Sequence, residues 1–248
     1  MLTGKALLNT LISELDDMGL PGMSATLDEM YRSPDFVDLD PLLAIARLVE
    51  PEFQKKINKR IQSRLRAAHL NGCPQELASC VDSADREYLP RGITDALSSL
   101  DFVASGMNVC ILGPSDSGKS YLAKALGIAA CNNYRVEYHH CEVLLEQLVA
   151  LKSVDYMKYQ KRLKKICGAA LLILDDFLLH TLSDEREVKI LFEILEKRCE
   201  ITLSTIICSQ RDPSSWGAMI LNDEVSANAI LKRATKHYTV MIKPNAAG

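Results

Sequence analysis

No C-x-x-C pair occurs among the eight cysteines of this 248-residue chain, and His139, His140, His180 and His237 show no metal-ligand spacing. Both absences argue against a zinc site. Cys110, Cys131 and Cys208 instead sit in apolar runs, as buried free thiols of a reducing compartment do. No apolar run approaches the roughly 20 residues that span a bilayer. The N-terminus lacks a basic flank followed by an apolar core, so no signal peptide is expected, and the expected location is the cytoplasm. Net charge is small, −3, so any nucleic-acid binding must come from local patches. A hydrophobic fraction of 48% with 25% charged residues is that of an ordinary globular chain. Its length allows one α/β core and a small accessory domain.

The chemistry that is present concentrates at residues 107–120. Val109 to Leu112 reads as a buried strand that breaks at Gly113. Gly113-x-x-x-x-Gly118-Lys119-Ser120 follows, the pattern of a phosphate-binding loop, and Tyr121 to Ala130 continues as an apolar-rich helix. Glycines let the backbone aim its N–H groups at a triphosphate, and the helix start adds its positive dipole end. Lys119 supplies a mobile charge for the β- and γ-phosphates, and the Ser120 hydroxyl suits Mg²⁺. ATP and Mg²⁺ are therefore the expected cofactors. Asp116 stands where many such loops carry glycine and brings a carboxylate to the phosphates.

Residues 2–19 show helical spacing of Leu7, Leu8, Leu11, Ile12, Leu15 and Met18. A second helix is expected over Met23 to Tyr31, capped by Ser24 or nearby, and a third starts at Pro41 with Asp40 as N-cap. Residues 1–50 hold nine acidic and three basic residues, a face that repels DNA. The sign then reverses. Between Glu52 and Leu70 stand Lys55, Lys56, Lys59, Arg60, Arg64 and Arg66 against one acid. Phe53, Ile57, Ile61 and Leu65 recur every four residues and form an apolar stripe, with Lys56, Lys59 and Arg60 on the other side and Lys55 and Arg66 near its edges. Such a helix either contacts a phosphate backbone or is a solvated surface helix. Residues 71–90, with Gly72, Pro74 and Pro90, read as a linker.

Beyond the loop, strands and helices alternate, which predicts a parallel sheet with helices on both faces and a site at the carboxyl ends of its strands. The strands are Val136 to His139, Ala169 to Leu174 and Thr202 to Cys208; the helices are Cys141 to Leu151 and 184–199. Lys152 to Lys165 carries six basic residues, facing either DNA or solvent. The second strand ends in Asp175-Asp176, about 56 residues after Lys119. Asp175 is expected to hold Mg²⁺, and Asp176 to orient the attacking water. Gln210, closing the next strand, is placed to reach the γ-phosphate or its water. Arg233 has no obvious local partner in the sequence; it is either offered to a neighbouring subunit's γ-phosphate or a surface ion pair.

Together these segments resemble the IstB-type transposition helper ATPases, relatives of the DnaC helicase loaders within the AAA+ class. The likeness runs from about residue 7 to 243. It is carried by Leu20-Pro21-Gly22-Met23, Asn58 to Ala68, Pro90-Arg91-Gly92, Leu100-Asp101-Phe102-Val103, Leu172 to Phe177, Ser204 to Gln210, Trp216, and Ala229 to Arg233. The resemblance implies an all-helical N-terminal domain over 1–70, a linker over 71–90 and an AAA+ domain over 91–248. It implies ATP hydrolysis stimulated by DNA, homo-oligomers assembled on duplex DNA, and service to a transposase; a helicase loader is the alternative. By that likeness Arg233 is an arginine finger and Gln210 a first sensor, and the nucleotide-binding set is Arg91 with Gly113, Pro114, Ser115, Asp116, Ser117, Gly118, Lys119, Ser120 and Tyr121. The DNA-binding set is Lys55, Lys56, Lys59, Arg60, Arg64 and Arg66. Departures are Asp116 and Leu178 where the family carries glycine, Lys232 for an acid, and no Gly-Glu-Ser-like tail after Lys243.

Overall fold

The computed structural model describes residues 4–220 and 224–245. Residues 2, 3 and 246–248, which include the expected start of the first helix and the end of the tail, lie outside the described residues. The chain divides into two compact units, Met1–Ser63 and Arg64–Gly248.

The first unit is helical. Helix α1 spans Gly4–Asp17 and buries Leu8 and Leu15, two turns apart on one face. Helix α2 spans Pro21–Arg32, two residues earlier than expected, because Pro21 fits the first helical position, where its missing N–H costs nothing. Ser24 is therefore inside the helix and buried rather than a cap. The orphan N–H of Gly22 is satisfied by Glu52 Oε1 at 2.7 Å. A Cβ at Gly22 would lie 2.9 Å from that carboxylate oxygen, so a side chain there would displace Glu52. Asp40 does cap the third helix, accepting from the N–H groups of Leu42 and Leu43. That helix, α3, runs unbroken over Pro41–Ala67 and passes through Pro51, which removes one intrahelical bond. The stripe beginning at Phe53 is packed against a hydrophobic core only at its far end, by Leu65; no residue of α3 is buried and Phe53 is 54% exposed.

The second unit is a six-stranded sheet in the order β1-β6-β2-β5-β4-β3. Its strands are β1 (Arg86–Leu89), β2 (Val109–Leu112), β3 (Val136–His140), β4 (Leu171–Asp175), β5 (Ser204–Ser209) and β6 (Tyr238–Pro244). All neighbours pair in parallel except β1 with β6. Helices α4 (Ile93–Ser98), α5 (Asp101–Ala104), α6 (Lys119–Ala130), α7 (Cys141–Val154), α8 (Tyr156–Cys167), α9 (Glu185–Glu200), α10 (Trp216–Met219) and α11 (Glu224–Ala234) surround it. The continuous apolar strands have a simple cause: both faces of the sheet are covered. Alternate residues feed two cores. Cys110, Leu112, Leu172, Leu174 and Ile207 face α7, α8, α9 and α11, whereas Val109, Ile111, Leu171, Ile173 and Ile206 face α4, α5 and α6.

Residues 71–90, expected as a linker, contain β1 and contribute Cys80 and Tyr88 to the second core. The Arg-Glu-Tyr-Leu strand is an edge, with one of its four residues buried, so it lacks the apolar run by which inner strands are recognised. The basic stretch 152–165 is also largely committed. Arg162 and Lys165 pair with Glu137 Oε2 and Oε1 at 3.4 and 2.8 Å, Lys158 pairs with Asp155, and Lys152 lies over the Tyr159 ring. Glu137 is 1% exposed in the edge strand β3. Burial alone would raise its pKa, but hydrogen bonds from His139 and Lys165 and the charges of Lys165 and Arg162 outweigh that and hold it at about 2.

Candidate functional site

At Gly113 the chain leaves β2 through a turn too tight for a side chain, whose Cβ would lie 2.6 Å from the Ile242 carbonyl oxygen. The loop ends at Gly118, the N-cap of α6, where φ is +100° and only glycine is comfortable. Within the loop Asp116 adopts φ 59°, a left-handed conformation that explains why glycine is usual there. Lys119 Nζ donates to the Pro114 carbonyl at 2.5 Å. Burial lowers the Lys119 pKa, while Cys208 and the carboxylates of Asp175, Asp176 and Asp116 act in the opposite direction. A cavity of about 390 Å³ opens over the loop, lined by Arg86, Ser115, Asp116, Gly118, Lys119, Ser120, Tyr121, Asp176 and Gln210.

The two acids close β4. Asp175 is buried, and each of its oxygens is held: Ser120 Oγ donates to Oδ1 at 3.0 Å and the Tyr138 hydroxyl to Oδ2 at 2.6 Å. Burial and the Asp175 bond raise the Tyr138 pKa well above the usual phenol range, so the hydroxyl remains a donor. Asp176 turns into the cavity with φ 52°, and Leu178 follows at the same φ, again where glycine would be unstrained. His140 Nδ1 lies 3.0 Å from Asp176 Oδ2. The turn after the acids is pinned from β5: Ser209 Oγ donates to the Phe177 carbonyl and accepts from Arg211 N–H, which fixes Gln210 between them. Trp216, fully buried, packs tilted against the Phe177 ring with centroids 4.8 Å apart and donates to the Arg211 carbonyl.

Loop, acids and Gln210 thus meet at the carboxyl ends of three parallel strands, as the sequence predicts. Three residues behave otherwise. Arg91 does not line the cavity; it extends from the end of β1 to pair with Glu87 at 3.4 Å, and Arg86 of that strand lines the cavity in its place. The Ser117 hydroxyl is buried and finds no hydrogen-bond partner among the described residues. Arg233 has local partners, namely Glu196 Oε1 at 3.4 Å, the Ala229 carbonyl and the face of Phe192. Its helix end is clamped by Asn108, which donates to the Arg233 carbonyl at 2.6 Å. Arg86, Tyr138 and His140 are the site residues that sequence reasoning missed; periodicity carries no sign of which strand end a polar residue will reach.

Ser120 and Asp175 offer a hydroxyl and a carboxylate, hard oxygen donors that fit Mg²⁺ when phosphate oxygens and water complete the shell. Among the described residues no cluster of three His, Cys, Asp or Glu forms a metal site of its own, and no helix is long and apolar enough to cross a membrane. All eight cysteines are free thiols, six of them buried.

In the helical unit, Lys55, Lys56 and Lys59 edge a groove of about 460 Å³ with Leu20, Met23, Val49 and Phe53, and Arg60 is exposed beside them. Arg66 is exposed. Arg64 is engaged elsewhere: its guanidinium donates to the carbonyls of Cys131 and Asn132 at 3.2 and 2.5 Å, at the C-terminal end of α6.

Residues 13–246 match the IstB-like ATP binding protein family. The chain belongs to that family. An insertion-sequence ATP-binding protein of Sinorhizobium fredii is 34% identical over 222 residues, 88% of this chain and 86% of that protein. The ATP-binding protein of insertion sequence IS21 from Pseudomonas aeruginosa is 29% identical over 197 residues, 78% of this chain and 71% of the relative. Among solved structures, DnaI superposes with a TM-score of 0.57 at 21% identity, over 68% of this chain and 92% of that one. AMPPCP-bound DnaA from Aquifex aeolicus gives 0.56 at 20% identity, over 69% and 51%. The likenesses to solved structures are of fold, and the IstB-like family is one of ATP-binding proteins.

Proposed function

We propose that this IstB-like chain is an ATP-hydrolysing helper that assembles on duplex DNA in the cytoplasm and serves the transposase of an insertion sequence. The observation that carries the reading is the single cavity in which the phosphate loop, Asp176 and Gln210 meet. Lys119 and the loop amides bind the triphosphate. Ser120 and Asp175 would hold Mg²⁺, which would supply charge neutralisation at the phosphates. Asp176 accepts a hydrogen bond from the attacking water and aligns it, Gln210 orients the same water or the γ-phosphate, and the products are ADP and phosphate. Arg233 acts from a neighbouring copy, releasing Glu196 to do so.

The helical segment 1–70 would bring DNA through Lys55, Lys56, Lys59, Arg60 and Arg66, contacting phosphates rather than base edges. The free thiols accord with a reducing cytoplasm. The insertion-sequence setting of the relatives supports the transposase as the partner served. Gel shifts of duplex DNA with a non-hydrolysable ATP analogue test the proposal. Nucleotide should strengthen DNA binding and produce larger complexes on longer duplexes; binding indifferent to nucleotide and to length would refute it.

A further inference from the structure

The nucleotide cavity is lined by a cation that the loop does not supply. Arg86 stands on the edge strand β1 and lines the cavity beside Gly118, Lys119 and Tyr121. It is half-buried. A Cβ placed on Gly118 would collide with Arg86 Nη1, so the guanidinium lies against the loop at the start of α6. Its guanidinium lies near Tyr88 and Cys80, and no carboxylate among the described residues lies within ion-pair distance of it. Arg91, by contrast, extends away to pair with Glu87. Withdrawing a guanidinium part-way from water without an anion beside it is unfavourable, and a phosphate is the anion this cavity would bring. Arg86 would also offset the carboxylate that Asp116 adds to the same cavity.

The sheet order indicates which phosphates these are. Asp176 follows β4 and Gln210 follows β5, both on one side of β2; β6 and β1 lie on the other. The reacting end of the triphosphate must face Asp176, so it points away from β1. We infer that Arg86 is a nucleotide-binding residue acting within its own subunit, and that it holds the phosphates ATP and ADP have in common rather than the γ-phosphate. This rests on the cavity being the seat of ATP.

Titrating ATP and ADP into the parent chain, Arg86→Gln, Arg86→Lys and Lys119→Ala, with a fluorescent readout of affinity and stoichiometry, tests it. Arg86→Gln should weaken both nucleotides by the same factor, roughly 10- to 100-fold, the loss expected of a charge-assisted bond. Arg86→Lys should recover only part, because an ammonium lacks the planar fork. Parent-like affinities in Arg86→Gln, or a loss confined to ATP, would overturn the inference and leave the ATP site standing. A parent chain that binds neither nucleotide would overturn both. A partly unfolded variant would show as reduced stoichiometry rather than weaker affinity, so misfolding cannot imitate the expected result.

Discussion

The Tyr138 hydroxyl donates to Asp175 Oδ2 at 2.6 Å while Ser120 Oγ donates to Oδ1 at 3.0 Å. One carboxylate is thereby fixed from both sides, by β3 and by the first turn of α6. Partners of this kind commonly tune metal affinity by about 10- to 100-fold. Tyr138→Phe keeps the ring and removes the donor, so it should weaken ATP binding roughly tenfold in the presence of Mg²⁺ and leave binding in EDTA unchanged. Equal loss with and without the metal would show that Tyr138 acts on packing alone.

Arg64 and its neighbours on α3 should separate cleanly. Arg64 donates to carbonyls at the end of α6, and charge-assisted bonds of this sort contribute about 1.5–3 kcal/mol. Arg64→Ala should therefore lower the melting temperature. Lys59→Ala and Arg60→Ala should leave it unchanged, weaken binding to all duplexes alike, and each reduce the log–log salt slope by about one. A sequence-selective loss for the latter two would contradict phosphate contact.

Glu137 makes the protein's acid limb predictable. Its folded pKa, about 2, lies below the unfolded value of 4.5. The stabilisation is therefore fully present above pH 4.5 and is lost as pH falls toward 2. Arg162 and Lys165 are partly exposed and keep some hydration in either state, so the contribution is about 1–2 kcal/mol. Urea midpoints between pH 2.5 and 6 should rise less steeply in Glu137→Gln than in the parent; parallel curves would show that Glu137 is not the responsible group.

Arg233 is held by Glu196 and Phe192 rather than lining the loop cavity of its own chain. A finger offered to a neighbour requires complementation. Arg233→Ala and Lys119→Ala should each lack ATPase activity, and mixing them should restore part of it, because some interfaces then join an intact loop to an intact arginine. No recovery in mixtures that co-assemble on DNA would assign Arg233 a role within its own subunit.

Strands β2, β4 and β5, the phosphate loop, the two acids and Gln210 were legible because each of these strands couples an apolar run to a polar residue at its end; β6, an inner strand too, was not, because only Val240 and Ile242 in it are buried. Strand β1 was not, since an edge with one buried tyrosine leaves no periodic mark, and Arg86 was missed with it. His140 has no metal-ligand spacing in the sequence, yet β3 brings it beside Asp176. Arg64 resembled its cationic neighbours on α3; only tertiary contact reveals that it meets the end of α6. The glycine departures at Asp116 and Leu178 were visible as letters, and the structure supplies their meaning: both residues adopt left-handed φ.

Phosphate release by the parent chain and by Asp176→Asn, each saturated with ATP on duplex DNA, tests the central claim most directly. The substitution keeps the size of the side chain and removes the charge that aligns the water. ATP affinity should be unchanged and turnover reduced by about 100-fold or more. Hydrolysis by Asp176→Asn at the parental rate would contradict it.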